Sequence, residues 1–517
     1  MPSTSTAALL SLLLAGCDDR PAPEDTGPVD ADADGWTIAA GDCDDGNPAV
    51  NPGAEEICDD GVDNNCDGLP APCGLWGKID LSLADAKLVG ENEYNFAGYS
   101  LAAGDVDGDG VDDVLVGAFG ERTAGFRTGA AYIVLGPVSG TLNLSVADAK
   151  LVGEEEGDEA GWSVSAGDVD GDGVDDVLVG AYREETGGSN AGAVYLMRGP
   201  VSGTVDLSLA DAKLVGERSS DQAGYSVSAG DVDGDGVEDI LVGALRADTG
   251  GKDAGAAYLV LGPVSGTVDL SRADARLTGE RYEDNAGSSV SAGDVNGDGV
   301  DDVLVGAFLE RSEGSQAGAA YLVLGPVSGT VNLYLADAKL VGEDFYDNAG
   351  NSVSAGDVDG DGVEDVLVGA CREDTGGTDA GAVYLVLGPV AGTVDLSLAD
   401  AKLIGEEEGD EAGWSVSTGD VDGNGVDDVL VGAFMEETVG SYAGAAYLVL
   451  GPVSGTVDLS LADAKFLAEE ERDGAGSSLA AGDVDGDGVD DVLVGAYAEN
   501  TGSRDAGAAY LLYGGGL

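Results

Sequence analysis

Histidine is missing altogether from the 517 residues, and Lys and Arg together number only 22 against 99 Asp and Glu. Without imidazole there is no Ser-His-Asp or Cys-His nucleophile, no His-ligated zinc and no imidazole acid or base. A formal charge of -77 argues against nucleic acid and anionic membrane surfaces as partners and makes cations the natural counterpart. Amphipathic helical patterning is absent too, and apart from one N-terminal run no stretch could enter a bilayer. Carboxylate-pair chemistry of the glycosidase kind needs no histidine and stays open. These absences do not make a disordered chain. Apolar residues are 43% of the total and fall in regular short runs, and the 87 glycines sit at fixed places in a repeat, as turn chemistry requires.

Residues 7–15 (AALLSLLLA) are apolar but too short to span a membrane comfortably, and Leu14-Ala15-Gly16-Cys17 follows. This resembles a bacterial lipobox. The resemblance implies a lipoprotein signal peptide over 1–16, lipidation of Cys17, and a place in the bacterial cell envelope facing the periplasm or the exterior. The sequence departs from the pattern in having no Lys or Arg before Cys17. Plain secretion is the alternative. Residues 17–29 are acidic and Pro-rich and read as a tether. Residues 30–74 are rich in Cys and Asp. Asp30, Asp32 and Asp34 alternate before Gly35, and GDCDDGNPAVNPGAEEICDDGVDNNCDG follows. This segment resembles a metal-binding motif of bacterial surface proteins whose family includes copper-binding members. Cys43, Cys58, Cys66 and Cys73 suit two disulfides in any of three connectivities, while carboxylate oxygens suit calcium better than copper.

Residues 75–517 contain seven copies of one 63-residue unit. In the copy from Ala160, AGWSVSAGDV alternates like a strand, an acidic turn follows, VLVGA is a continuous apolar strand, and GAVYLMR is a third strand. A Gly-Pro turn then leads to VDLSLADAKLVGE, whose AKLVG suits a fourth. Four strands per unit and no helix predict an all-β fold, a seven-bladed β-propeller of four-stranded antiparallel blades, joined to a small disulfide-stapled N-terminal segment. The fourth-strand phrase also occurs at residues 78–90, ahead of the first complete unit, and is missing after the last. That orphan copy is expected to close the last blade.

Each acidic turn has ligand-forming residues at positions 1, 3, 5 and 9, with a carbonyl at position 7. Gly at positions 4 and 6 permits the tight path. Hard oxygens converging in this way predict a calcium loop, up to seven in all. The ligands are Asp105, Asp107, Asp109, Val111 and Asp113; Asp168, Asp170, Asp172, Val174 and Asp176; Asp231, Asp233, Asp235, Val237 and Asp239; Asp294, Asn296, Asp298, Val300 and Asp302; Asp357, Asp359, Asp361, Val363 and Asp365; Asp420, Asp422, Asn424, Val426 and Asp428; and Asp483, Asp485, Asp487, Val489 and Asp491. The two Asn residues keep an oxygen but lose a charge, which predicts weaker sites.

The DxDxDGxxD loop, the following VGA and the count of seven resemble the FG-GAP repeat of integrin alpha-subunit propellers. Ala-Gly stands where that family has Phe-Gly, and the Pro of its Gly-Ala-Pro is replaced by Phe119, Tyr182, Leu245, Phe308, Cys371, Phe434 and Tyr497. The resemblance takes in neither an inserted domain nor the leg domains, so it is not expected to imply integrin heterodimer formation. Strand direction puts the calcium loops on one face of the disc and the variable loops on the other. The variable loops carry Tyr94, Phe96, Phe126, Arg127, Tyr282, Phe345, Tyr346 and Tyr442, with Arg183, Arg246, Arg311 and Arg372 beside them. In integrins the equivalent face binds ligand, and aromatic and Arg side chains are what interaction hot spots use. The expectation is a calcium-stabilised, surface-anchored binding or adhesion protein with a protein or glycan ligand, no nucleic-acid partner, no catalytic residues, and membrane contact only through a lipid anchor. A polysaccharide-acting propeller enzyme using a carboxylate pair and an acidic metal-sequestering protein are the alternatives.

Overall fold

The computed structural model describes residues 74–311 and 316–515, together with Trp36, Cys43, Asn47, Pro48, Val50, Asn51, Pro52 and Cys66. The chain divides into two compact units, Met1–Pro72 and Cys73–Leu517. In the first, Cys43 and Cys66 form a disulfide with Cα atoms 5.6 Å apart. The remaining expectations for this region, on Cys17, Asp30, Asp32, Asp34, Cys58 and Cys73 and on the signal peptide and tether, lie outside the described residues.

The second unit is a seven-bladed β-propeller. In the first blade Ser100–Gly104, Asp113–Ala118, Ala130–Val134 and Ala149–Val152 run antiparallel from the axis outward. The second strand is buried along its whole length because sheets pack on both its faces, which is why DVLVGA carries no polar residue after its Asp. Seven apolar clusters fill the seven blade junctions. Between the first and second blades, Leu115, Ile133 and Leu151 meet Val177, Val179 and the fully buried Tyr195. Each such side chain contributes about 1.5–3 kcal/mol on leaving water. The first strands crowd around the axis: a Cβ on Gly104 would lie 2.6 Å from the Cβ of Ala166 in the next blade, so the strand must end in glycine.

One expectation needs correction. Each sheet has five strands, not four, and the outermost is parallel to its neighbour. The tetrad Gly203–Asp206, which follows the third strand of the second blade, reaches back and pairs with Ala149–Val152 of the first. Its backbone covers an edge that would otherwise be open to pairing with other chains. The tetrad is exposed except for one half-buried residue, so hydrophobic periodicity gives it no signature. A 3-10 turn follows, capped by the Asp206 carboxylate, which accepts the Ser208 N–H at 2.9 Å. The turn plugs Leu207 into the core and leaves Leu209 72% exposed at the rim.

The same exchange operates where the chain begins. Gly77–Asp80 forms the outer strand of the sixth blade, parallel to Ala464–Leu467. Ala86–Val89 forms the fourth strand of the seventh, antiparallel to Ala508–Leu512 and parallel to Gly140–Asn143.

Near the opposite ends of the strands from the acidic loops, six of the blades bury a lysine between two glutamates. Lys150 Nζ lies 2.5 Å from Glu91 and 3.1 Å from Glu121 and donates to Thr123, while the Tyr132 hydroxyl donates to Glu91. Lys87 does the same in the seventh blade with Glu469 and Glu499. In the third blade Arg276 stands for the lysine and Ala247 for one glutamate, so the larger guanidinium meets only Glu217, at 2.7 Å.

Candidate functional site

The acidic loops wrap around their own first residue. Asp105 Oδ1 accepts the N–H groups of Gly108 and Asp109 and Oδ2 that of Gly110, while Asp109 Oδ1 accepts from Val111. Asp113, 1% exposed at the start of the second strand, accepts from Val106 at 3.0 Å and from Gly136 of the Gly-Pro turn at 2.9 Å. Burial pushes its carboxyl up to about 6, opposed by the Gly136 N–H, with the Asp107 and Asp105 charges adding. Three carboxylates converge within 4.8 Å at several loops, among them Asp105, Asp107 and Asp113; Asp231, Asp233 and Asp239; and Asp420, Asp422 and Asp428. In the second loop Asp170 Oδ1 and Asp176 Oδ2 are buried without a hydrogen-bond partner. Clustered hard oxygens and orphaned buried carboxylate atoms fit a divalent cation. Bound there, it would neutralise mutually repelling charges and tie the first strand to the second.

Two loops differ in their own geometry. Arg198 reaches Asp170 of the second loop at 2.9 Å, a position held by leucine in the neighbouring blades at Leu135 and Leu261. In the fourth loop the Asn296 amide nitrogen donates to both oxygens of Asp302, at 3.1 and 3.2 Å, where a cation would otherwise sit. Asn424 behaves differently: its Oδ1 accepts the Val426 N–H just as Asp109 accepts that of Val111.

The acid at position 8 of each loop has a separate task that the sequence reading missed. Asp175 N–H donates to the Asp105 carbonyl of the preceding loop at 2.9 Å, and Asp175 Oδ2 accepts the Asp105 N–H at 3.1 Å. Asp112 and Asp483 make the same exchange, which links the last blade to the first. Consecutive loops are thereby chained around the face.

The other face has a constant backbone and changing side chains. Isolated parallel bridges tie neighbouring blades all the way round, from Gly129 with Ala160 to Ala97 with Gly507. A Cβ on Gly129, at φ +80°, would lie 2.1 Å from the Ala160 carbonyl oxygen, so only glycine fits. One position in each loop leading into a first strand keeps a left-handed backbone whatever occupies it, with Phe96 at φ 55°, Glu159 at 54°, Gln222 at 58° and Asn348 at 58°.

The expected ligand-face residues separate into two sets. Phe126, Tyr282, Phe345, Tyr346 and Tyr442 are exposed by 49 to 63%. Tyr94, half buried, lies under the guanidinium groups of Arg122 and Arg504. Phe96 and Arg127 are drawn inward: Phe96 stacks on Phe119 at 4.9 Å, and Arg127 pairs with the buried Glu159, as does Arg183. Cys371 is buried, and burial pushes its thiol up to about 12. The structure adds a set around the axis, the residue after each Ala-Gly: Tyr99, Trp162, Tyr225, Ser288, Asn351, Trp414 and Ser477 line a cavity of about 340 Å³. The clue in the sequence was that this position varies between large aromatic and small polar residues, three consecutive aromatics among them, while its neighbours repeat.

Among the described residues no helix is long and apolar enough to cross a membrane. A Cu-binding MopE model of a metal-binding motif matches residues 42–69. The FG-GAP repeat model matches residues 97–134, 160–197, 223–260, 286–323, 349–386, 412–449 and 475–512. The chain is also similar to integrin alpha-5 of Xenopus laevis, 33% identical over 261 residues, which are 48% of this chain and 23% of that protein. Integrin alpha pat-2 of Caenorhabditis elegans is 30% identical over 274 residues, 50% of this chain and 21% of the relative. Integrin alpha-V of Gallus gallus is 32% identical over 229 residues, 42% of this chain and 21% of the relative. The chain thus spans less than a quarter of the length of these curated relatives. Each of the seven matches runs from the Ala-Gly pair through the acidic loop to the third strand, the part of a blade that carries both faces, and the chain belongs to the FG-GAP repeat family.

Proposed function

We propose that this chain is an extracellular binding or adhesion protein, anchored through Cys17 to a bacterial envelope, whose calcium-held propeller presents its variable face to a partner. The observation that carries this reading is the contrast between the faces. The acidic loops repeat nearly letter for letter, whereas the opposite loops keep one backbone and exchange side chains, leaving Tyr282, Phe345 and Tyr346 exposed. A fixed frame with changing aromatic tips supplies contact area at little ordering cost. The similarity to integrin alpha chains supports the same class. Calcium would act at a distance, since its loops hold the first two strands and those strands carry the variable loops. A catalytic reading draws little support on this face: Glu159 is 1% exposed and bonded to two arginines and the Tyr182 hydroxyl.

The test is retention of the full chain on immobilised matrix proteins and polysaccharides, with calcium and with chelator, beside a Tyr282→Ser, Phe345→Ser, Tyr346→Ser variant. Retention should fall by about tenfold or more in the variant while its melting temperature holds, and should fall on chelation. Equal retention by both proteins, with and without chelator, would remove these aromatic tips and the calcium dependence from the function.

A further inference from the structure

We propose that the axial cup on the variable face binds an anionic glycan, a chain of sugars bearing carboxylates of the uronate type. The assignment rests on the reading of this face as the binding face and names the ligand class for its centre.

The site breaks the sevenfold repetition. The cavity of about 340 Å³ at the axis and a cleft of about 650 Å³ beside it share Trp162, Tyr225 and Phe308 as a common wall. Each has the size of an ordinary ligand site. Aromatic planes occupy one arc. Tyr99 packs on Trp162 at 4.5 Å with the rings tilted by 46°, and Trp162 on Tyr225 at 5.6 Å with a tilt of 45°. A single flat ligand could stack on only one of these planes. Successive sugar rings turn relative to one another, offering a C–H face to each plane in sequence.

Polar groups occupy the facing arc. Asn351 donates its amide N–H to the Trp414 carbonyl at 3.0 Å, which leaves Oδ1 to accept from a ligand hydroxyl. Asn348, in the left-handed conformation of its loop, stands beside it. Those loops are held by the inter-blade bridges, so the donors and acceptors are positioned before a ligand arrives.

Charge selects the anionic class. The chain carries -77, and no Lys or Arg occurs within any of the seven acidic loops. Around the cup the balance reverses. Glu159 is shared by Arg127 and Arg183, Asp253 is taken by Lys252 and Glu283 by Arg311. Arg246 lines the cleft with no ion pair among the described residues, while Arg372 lines the cup with the buried Glu411 charge facing it. A guanidinium fork recognises a carboxylate with two parallel hydrogen bonds. At physiological salt the distant acids are screened beyond about 8 Å, so the local arginines decide.

The experiment titrates the calcium-loaded full chain with a uronate hexasaccharide, its carboxyl-reduced neutral counterpart and a lysine-rich peptide. Binding is read by calorimetry and by tryptophan fluorescence, since Trp162 and Trp414 line the cup. The uronate should bind saturably and change the fluorescence, and the reduced sugar should bind about tenfold more weakly or worse. Trp162→Ala and Arg246→Glu should each weaken the uronate by about tenfold or more, with Arg372→Ala as a milder variant should either lose stability. Leu209→Ser, at the rim and away from the variable loops, should leave it unchanged. The proposal is overturned by no saturable uronate binding, by equal affinity for the reduced sugar, by preference for the peptide, or by indifference to all three cup substitutions. If surface retention meanwhile persists and still depends on Tyr282, Phe345 and Tyr346, only the glycan assignment fails and the binding face stands.

Discussion

At the scale of single residues, near-identical loops are made unequal by one or two side chains. Sequence alone ranks the Asn296 and Asn424 loops as equally weakened. In the structure Asn424 keeps the acceptor role of the aspartate it replaces, whereas Asn296 turns a nitrogen toward Asp302 and stands in for the cation. Arg198 does likewise from outside the second loop by holding Asp170. A calcium ion entering these two loops must turn an amide or displace a guanidinium, costs that Asn424 does not impose. Calorimetric titration should therefore show Asn296→Asp tightening one site more than Asn424→Asp does, and Arg198→Leu tightening another by about tenfold. Equal gains from the two Asn substitutions, or none from Arg198→Leu, would mean that these contacts give way freely to the ion.

At the scale of strands and loops, the loop entering six of the blades holds a buried aspartate that accepts a backbone N–H three residues earlier, as Asp158 accepts from Glu155 at 2.9 Å. Burial, with the Glu184 and Glu155 charges adding and the Glu155 N–H and Lys213 opposing, pushes Asp158 up to about 6. Asp284 and Asp473 reach about 7 for the same first reason. A carboxyl whose folded pKa lies above its unfolded value of about 4 binds protons more tightly when folded, so stability is full below about pH 4 and is lost as pH rises toward 7. In saturating calcium the melting temperature should rise between pH 7.5 and pH 5. An Asp284→Asn, Asp473→Asn variant, which copies the amide that Asn95 supplies in the first blade, should show a shallower rise; an identical slope in both proteins would place the proton uptake elsewhere. Such groups mark the limit of legibility. The DVLVGA strands and the acidic loops were readable because pattern and spacing lie within about fifteen residues. The outer tetrads were not, because a strand exposed on almost every residue has no apolar period. The buried lysines were missed because a lone Lys among apolar residues reads as a solvated side chain until Glu91 and Glu121 are brought to it. The aromatic cup was missed because its members stand 63 residues apart and meet only around the axis.

At the scale of the whole molecule, closure of the ring is concentrated in residues 77–89, which supply one strand to the sixth blade and one to the seventh. They also bring Lys87 to Glu469 and Glu499, the latter 3% exposed. Removing them opens two sheet edges and leaves a buried carboxylate unpaired, and that unpaired charge alone costs about 3–5 kcal/mol. A chain lacking 77–90 should melt at least about 5 °C lower, and a synthetic peptide covering 75–91 should restore much of the loss. A second closure operates on the acidic face, where Asp112 and Asp483 exchange hydrogen bonds between the first and last loops. Metal bound in those loops would hold this seam when the strand is gone. Chelation should then destabilise the truncated chain more than the intact one, because each closure limits what loss of the other can do. Equal losses in the two proteins would show the strand clasp and the loop chain to be independent, and an undiminished melting temperature after truncation would show that neighbouring blades hold the ring without it.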